Sequence, residues 1–195
     1  MGYAKGATSR ERIIESSVNV VLEKGFSATT MADLTRAANT SVGKFTHHFP
    51  SKEALFEVLF VHLLDHFEAG PLALLGDRKR SPIERITGFL DGIYALYAIR
   101  PAFVGCPIGY AAGDSGGVTV RMKERTHQFL NRTATLFERA FREMQDPPDI
   151  AKAKAALFVN AWQGCVVVAK AGGGLRHVRS VLGSLKTLAE YSPAA

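Results

Sequence analysis

The sequence predicts an all-α protein, with an N-terminal three-helix unit built around a helix-turn-helix and a larger helical domain behind it. Three observations carry that prediction. Apolar residues recur at spacings of three and four, and no stretch alternates with the period of two that a half-buried strand requires. Helix starts are marked: Thr8-x-x-Glu11, Thr30-x-x-Asp33 and Ser81-x-x-Glu84 each place a hydroxyl and an acid where they satisfy free N–H groups. Gly25, Pro50, Pro101 and Pro147-Pro148 stand where the periodic segments stop.

Taken in order, residues 1–7 read as a loose arm, and helix one carries the pairs Ile13/Ile14, Ser17/Val18 and Val21/Leu22. Phe26 is expected to plug the core between the first three helices. Met31, Leu34 and Ala37/Ala38 share one face of helix two, capped by Thr30. Asn39 tolerates the left-handed conformation that a helix stop needs. Ser41 then caps a helix of about two turns that keeps Val42 and Phe45 on one side. Pro50 ends it and Ser51 caps the next helix, over residues 52–67. A helix, a three-residue turn and a short helix with small and basic exposed residues is the layout whose second helix enters a DNA major groove.

The helix over 52–67 carries Leu55/Phe56, Leu59/Phe60, Leu63/Leu64 and Phe67, wide enough apolar stripes to pack on two domains at once. The expected division is therefore 1–52 for the DNA-binding unit, the helix 51–67 as link, and 68–195 for a second domain, with Gly70, Pro71, Gly76 and the run Asp77-Arg78-Lys79-Arg80 marking the boundary. Ser81-Pro82-Ile83-Glu84 restarts a helix holding Ile86, Phe89, Leu90, Ile93, Tyr94 and Tyr97. A short helical piece over 106–112, a glycine loop over 113–117 and a long helix over about 118–144 follow. The segment 150–171 is apolar almost all round, Gly172-Gly173-Gly174 turns the chain, and Val178, Val181/Leu182, Leu185 and Leu188 form a last amphipathic helix. Two such helices at the end of a small protein predict a partner subunit packed as a four-helix bundle about a two-fold axis, with Phe158, Gly164, Val168, Val181 and Leu185 at the interface.

With 195 residues, 47% of them apolar, the chain is long enough to bury a core, and its moderate, mixed charge excludes a disordered chain. The formal net charge of +6 permits a polyanionic partner. Its distribution is more informative: between Asp33 and Glu53 stand Arg36, Lys44 and Lys52 with no acid. Two cysteines without a signal-peptide pattern imply a reducing cytoplasm, and the uncharged run over 155–169 is too short and too interrupted for a membrane span. No cofactor and no metal are expected.

The stretch Thr30-Met31-x-Asp33-Leu34-x-x-Ala37-Ala38, followed by Ser41-x-Gly43-x-Phe45-x-x-His48-Phe49-x-Ser51-Lys52-Glu53-x-Leu55, resembles the N-terminal domain of the tetracycline-repressor (TetR) family of bacterial regulators. Asn39 stands where that family usually has Gly, and Thr46 where it usually has a phosphate-reaching Tyr. The resemblance implies a homodimeric one-component regulator that binds a palindromic operator and is released by a small effector. It places DNA contacts at Thr30, Ser41, Val42, Gly43, Lys44, Thr46, His47, His48 and Lys52. Farther along, Gly105-Cys106-Pro107-Ile108-Gly109 and Trp162-Gln163-Gly164 resemble a subset of the family with a Gly-Cys motif, implying an apolar or thiol-reactive effector. The expected effector-binding residues are Tyr94, Tyr97, Cys106, Tyr110, Phe137 and Trp162. Cys106 before Pro107 would sit at a helix N-cap, where N–H groups stabilise a thiolate.

Two other readings compete. A helical dimerisation module with weak DNA binding would follow from the change at Thr46. A cysteine or serine hydrolase is suggested by Gly113-Asp114-Ser115-Gly116-Gly117, which copies the residues around the nucleophile of chymotrypsin-like proteases. That chemistry needs a histidine base and buried aspartate on a β scaffold, and no strand pattern exists here, so the expectation is a non-enzyme. His62 and His66 stand four apart, a metal-compatible spacing with no evident third ligand.

Overall fold

A computed structural model describes residues 8–99 and 118–191. Every regular element among them is helical. Helices α1 (Ser9–Lys24), α2 (Met31–Ala37) and α3 (Val42–His48) form a head, and α4 (Lys52–Phe67) leads out of it. The caps read from the sequence are formed: the hydroxyls of Thr8, Thr30 and Ser81 each accept from the third residue's backbone N–H, and each cap's own N–H donates to that residue's carboxylate. Phe26, 2% exposed, plugs the head and stacks on Phe56 at 4.1 Å.

The chain does not break at Gly70-Pro71 as the sequence suggested. A π-helical turn, Glu68–Leu72, absorbs Pro71, and the helix continues as α5 (Ala73–Gly76) before the turn at Asp77. Gly92 makes this possible from the other side, because a Cβ there would come within 3.1 Å of Pro71. The body then consists of α6 (Pro82–Ala98), α7 (Val120–Glu143), α8 (Pro148–Val168) and α9 (Gly174–Glu190), in which α7 packs on α8 and α9 packs on both α6 and α8. The turn between α8 and α9 uses Gly172 and Gly174, both at positive φ. The short helix expected over 106–112 and the loop 113–117 lie outside the described residues.

The α4 helix is the bridge between head and body. Its Phe56 packs on Phe26 in the head, and its Phe67 packs on Phe129 and Trp162 in the body, 6.3 and 6.1 Å between ring centroids. Lys52–Gly76 and Pro148–Glu190 are long and apolar enough to cross a membrane, but both turn rows of buried residues into this core.

Candidate nucleic-acid interface

The head is held rigid by contacts around its turns. Thr29 Oγ1, buried, donates to the Gly25 carbonyl at 2.7 Å. Lys24 binds the Asp33 carboxylate at 2.7 Å, and Thr30 donates its hydroxyl to the same group, also at 2.7 Å. These bonds favour the ionised carboxylate and hold Asp33 well below the usual carboxylate range, Lys24 contributing most and Thr30 next. Asn39 takes a left-handed conformation, φ 47°, and the Thr40 N–H returns to the Thr35 carbonyl at 3.0 Å, closing the turn. Ser41 caps α3 by accepting from Lys44 N–H at 3.3 Å.

One residue anchors α3 from beneath. Phe45 is fully buried, with Phe49 5.9 Å away, while Ser41, Val42, Gly43, Lys44, Thr46 and His47 are all exposed and His48 is half-buried. Val42, expected on the Phe45 side, is instead 56% exposed, since a two-turn helix on a small head has only one covered side. The structure thus brings the expected groove-facing residues together on one open face.

It engages three expected phosphate contacts, Lys52, Thr46 and Thr30, in bonds within the head. Lys52 donates its ammonium to the Phe26 and Thr29 carbonyls at 3.2 and 3.0 Å and lies over the Phe26 ring at 4.4 Å, so it clamps the turn before α2. Thr46 donates back to the Val42 and Gly43 carbonyls, both at 3.1 Å, a bond its short side chain favours over an outward reach. Thr30 is likewise engaged with Asp33. A cation omitted from the expected set is Arg36, whose side chain is 79% exposed with only a 3.9 Å contact to Asp33. Its place in the acid-free window was the available signal.

In the body, Trp162 is fully buried against Phe67, Phe89 and Phe129, and Phe89 joins it to Phe137 at 5.0 Å. Among the described residues its indole N–H has no acceptor. Tyr97 is buried on α6, but Tyr94 turns away, its hydroxyl accepting from Arg179 on α9 and its ring lying 5.0 Å under that guanidinium. Cys106 and Tyr110 lie outside the described residues. At the expected dimer face, Phe158 and Leu185 point into the protomer's own core, 1% and 2% exposed, and have no surface to offer a partner. Gly164 and Val168 are exposed, and Val181 is half-buried.

A short helix held open on a tightly capped tripod, with a helical body behind it, defines the class: a helix-turn-helix transcriptional regulator. Residues 13–59, which run from α1 through the head into α4, match the model of bacterial regulatory proteins of the tetR family. A transcriptional regulator of the same helix-turn-helix type from Lactococcus lactis subsp. lactis is 30% identical over 105 residues, so the match spans about half of either protein, 52% of each. The HTH-type transcriptional repressor DhaR of Mycobacterium sp. (strain GP1) is 22% identical, over 81% of this chain and 80% of its own. The crystal structure of a TetR transcriptional regulator from Legionella pneumophila superposes with a TM-score of 0.79 at 19% identity, covering 95% of this chain and 99% of that one. Such relatives are regulators, not enzymes.

Proposed function

We propose that this chain is a homodimeric, cytoplasmic repressor that binds a palindromic operator through α3 and leaves it when a small effector enters the body. The observation that carries the reading is the α3 face, where six exposed residues ride on one buried phenylalanine. Base-edge contacts are assigned to Ser41, Val42, Lys44 and His47, and phosphate contacts to His48, Thr30 and Thr46, the hydroxyls after leaving their internal partners. Gly43 allows the helix backbone to come close to the duplex. Residues 1–52 act as the reading head and the segment from residue 68 as the effector-binding and dimerisation domain, with α4 between them.

Dimerisation is supported by the outer face of α8 and α9. Leu157, Val167, Val168 and Leu188 are 45–66% exposed, and with Gly164 they make an apolar surface that the protomer leaves uncovered. A two-fold partner would cover it and set the two reading heads at a fixed spacing. The effector is assigned to the region of Tyr97, Phe137 and Trp162 together with Cys106 and Tyr110, and the Trp162 N–H, unpartnered among the described residues, favours a ligand with a hydrogen-bond acceptor among its apolar parts. Effector binding acts by favouring one orientation of α4 over another.

The test is Gly164→Leu. A Cβ at Gly164 meets nothing within 4 Å inside the protomer, so the fold is expected to survive while sedimentation shows monomers and operator affinity falls. A folded, fully dimeric Gly164→Leu variant would remove α8 from the interface.

A further inference from the structure

We propose that the groove between the head and the body is a second ligand site, one that takes a small anion carrying an apolar group. The groove encloses about 430 Å³, within the ~300–1,000 Å³ typical of small-molecule sites, and is walled by α1, α4 and the first turns of α7. Its apolar floor is Val58, Val61 and Met122, with Val61 42% exposed.

Three guanidiniums line it from two different bodies. Arg10 comes from α1 and is held over the Phe49 ring at 5.0 Å, while Arg121 and Arg125 stand four apart, on one face of α7. Among the described residues, none of the three has a carboxylate within 4.0 Å. The two acids of the groove form no ion pair with them among the described residues. Glu57 accepts from Thr119 Oγ1 at 3.0 Å, and Asp65 lies along α4 beside His62. Burial, and then the neighbouring His66, lower the His62 pKa, so at neutral pH this ring adds a hydrogen-bonding group and not a charge.

An apolar floor with unpaired guanidiniums at its rim fits a carboxylate, sulfonate or phosphate on a hydrophobic stem. Such a ligand touches α1 and α4 of the head and α7 of the body at once, so its binding favours the head orientation seen here over others. This site is distinct from the Trp162 region, and it stands whether or not that region binds the effector.

The experiment is calorimetric titration of the full chain with octanoate and with uncharged octanamide, repeated on Arg121→Ala/Arg125→Ala and on Val61→Trp, with amide hydrogen exchange locating the bound ligand. Expected are saturable octanoate binding, octanamide binding about tenfold or more weaker, and a similar loss in the double variant, the size expected for charge-assisted hydrogen bonds. Val61→Trp, which fills the groove from an exposed position, should also weaken binding, and exchange should slow in α1, α4 and the start of α7. Equal affinity for the amide, unchanged binding by both variants, or no saturable octanoate binding by the wild-type chain would each overturn the proposal.

Discussion

Replacing Gly43 by Ala separates what α3 does for the fold from what it does for DNA. Gly43 lies in the first turn of α3 on the open face, and a Cβ there would meet no atom within 4 Å. Alanine therefore introduces no clash in the free protein and removes the backbone-entropy cost of glycine in a helix, worth about 0.8–1 kcal/mol. For a chain of this size, 1 kcal/mol moves the melting temperature by roughly 2–4 °C, here upward. The proposed interface gives the opposite sign for DNA, because the methyl group would stand between the α3 backbone and the duplex. Losing one charge-assisted contact corresponds to about tenfold or more in affinity. Differential scanning calorimetry and fluorescence anisotropy with an operator fragment measure the two effects independently. A variant that melts higher and binds DNA as well as wild type would show that the Gly43 face is not against DNA.

Lys52→Ala removes two hydrogen bonds to the Phe26 and Thr29 carbonyls and a cation–π contact; because Lys52 is half-buried, a destabilisation of about 1–2 kcal/mol is expected in chemical denaturation, and an unchanged midpoint would refute the clamp. Stability should fall on acidification in two windows. His62 has a lowered folded pKa, so the unfolded chain takes its proton first and stability declines as pH falls below about 6.5. Asp33 is depressed by Lys24, so its contribution is complete above about pH 3.9, the unfolded value, and is lost as pH falls further toward its folded value. Denaturation midpoints of His62→Gln and Asp33→Asn should lose the upper and lower dependence respectively, and unaltered pH profiles would contradict both assignments. For Cys106, a mild electrophile should release wild type from its operator and leave Cys106→Ser bound; identical responses would exclude a thiol sensor.

Much of the head was legible because its signals are local. A capping box needs only four residues, and Thr8 and Thr30 formed theirs, as Ser81 did in the body; Asn39 took the left-handed turn for the same reason. What the sequence hid depends on contacts across distance. Lys52 sits beside the exposed window in sequence, but only the folded head shows the Phe26 and Thr29 carbonyls converging on its ammonium. Pro71 looked like a helix stop, and the close approach permitted by Gly92, twenty-one residues on, is what keeps it inside a helical path. Helical periodicity marked Phe158 and Leu185 as buried without saying whether their own protomer or a partner buried them. The groove between Arg10, α4 and Arg121 left no local pattern at all, since its walls come from three separated segments.

Sequence-specific DNA binding through α3 is the central claim, and selection of genomic fragments by the purified chain tests it most directly, run in parallel with Lys44→Ala. The account predicts that wild type enriches a short inverted repeat with half-sites one helical turn or a multiple apart, and that Lys44→Ala relaxes the choice of base within each half-site. Fragments without a shared motif, or a Lys44→Ala motif identical to that of wild type, would contradict it.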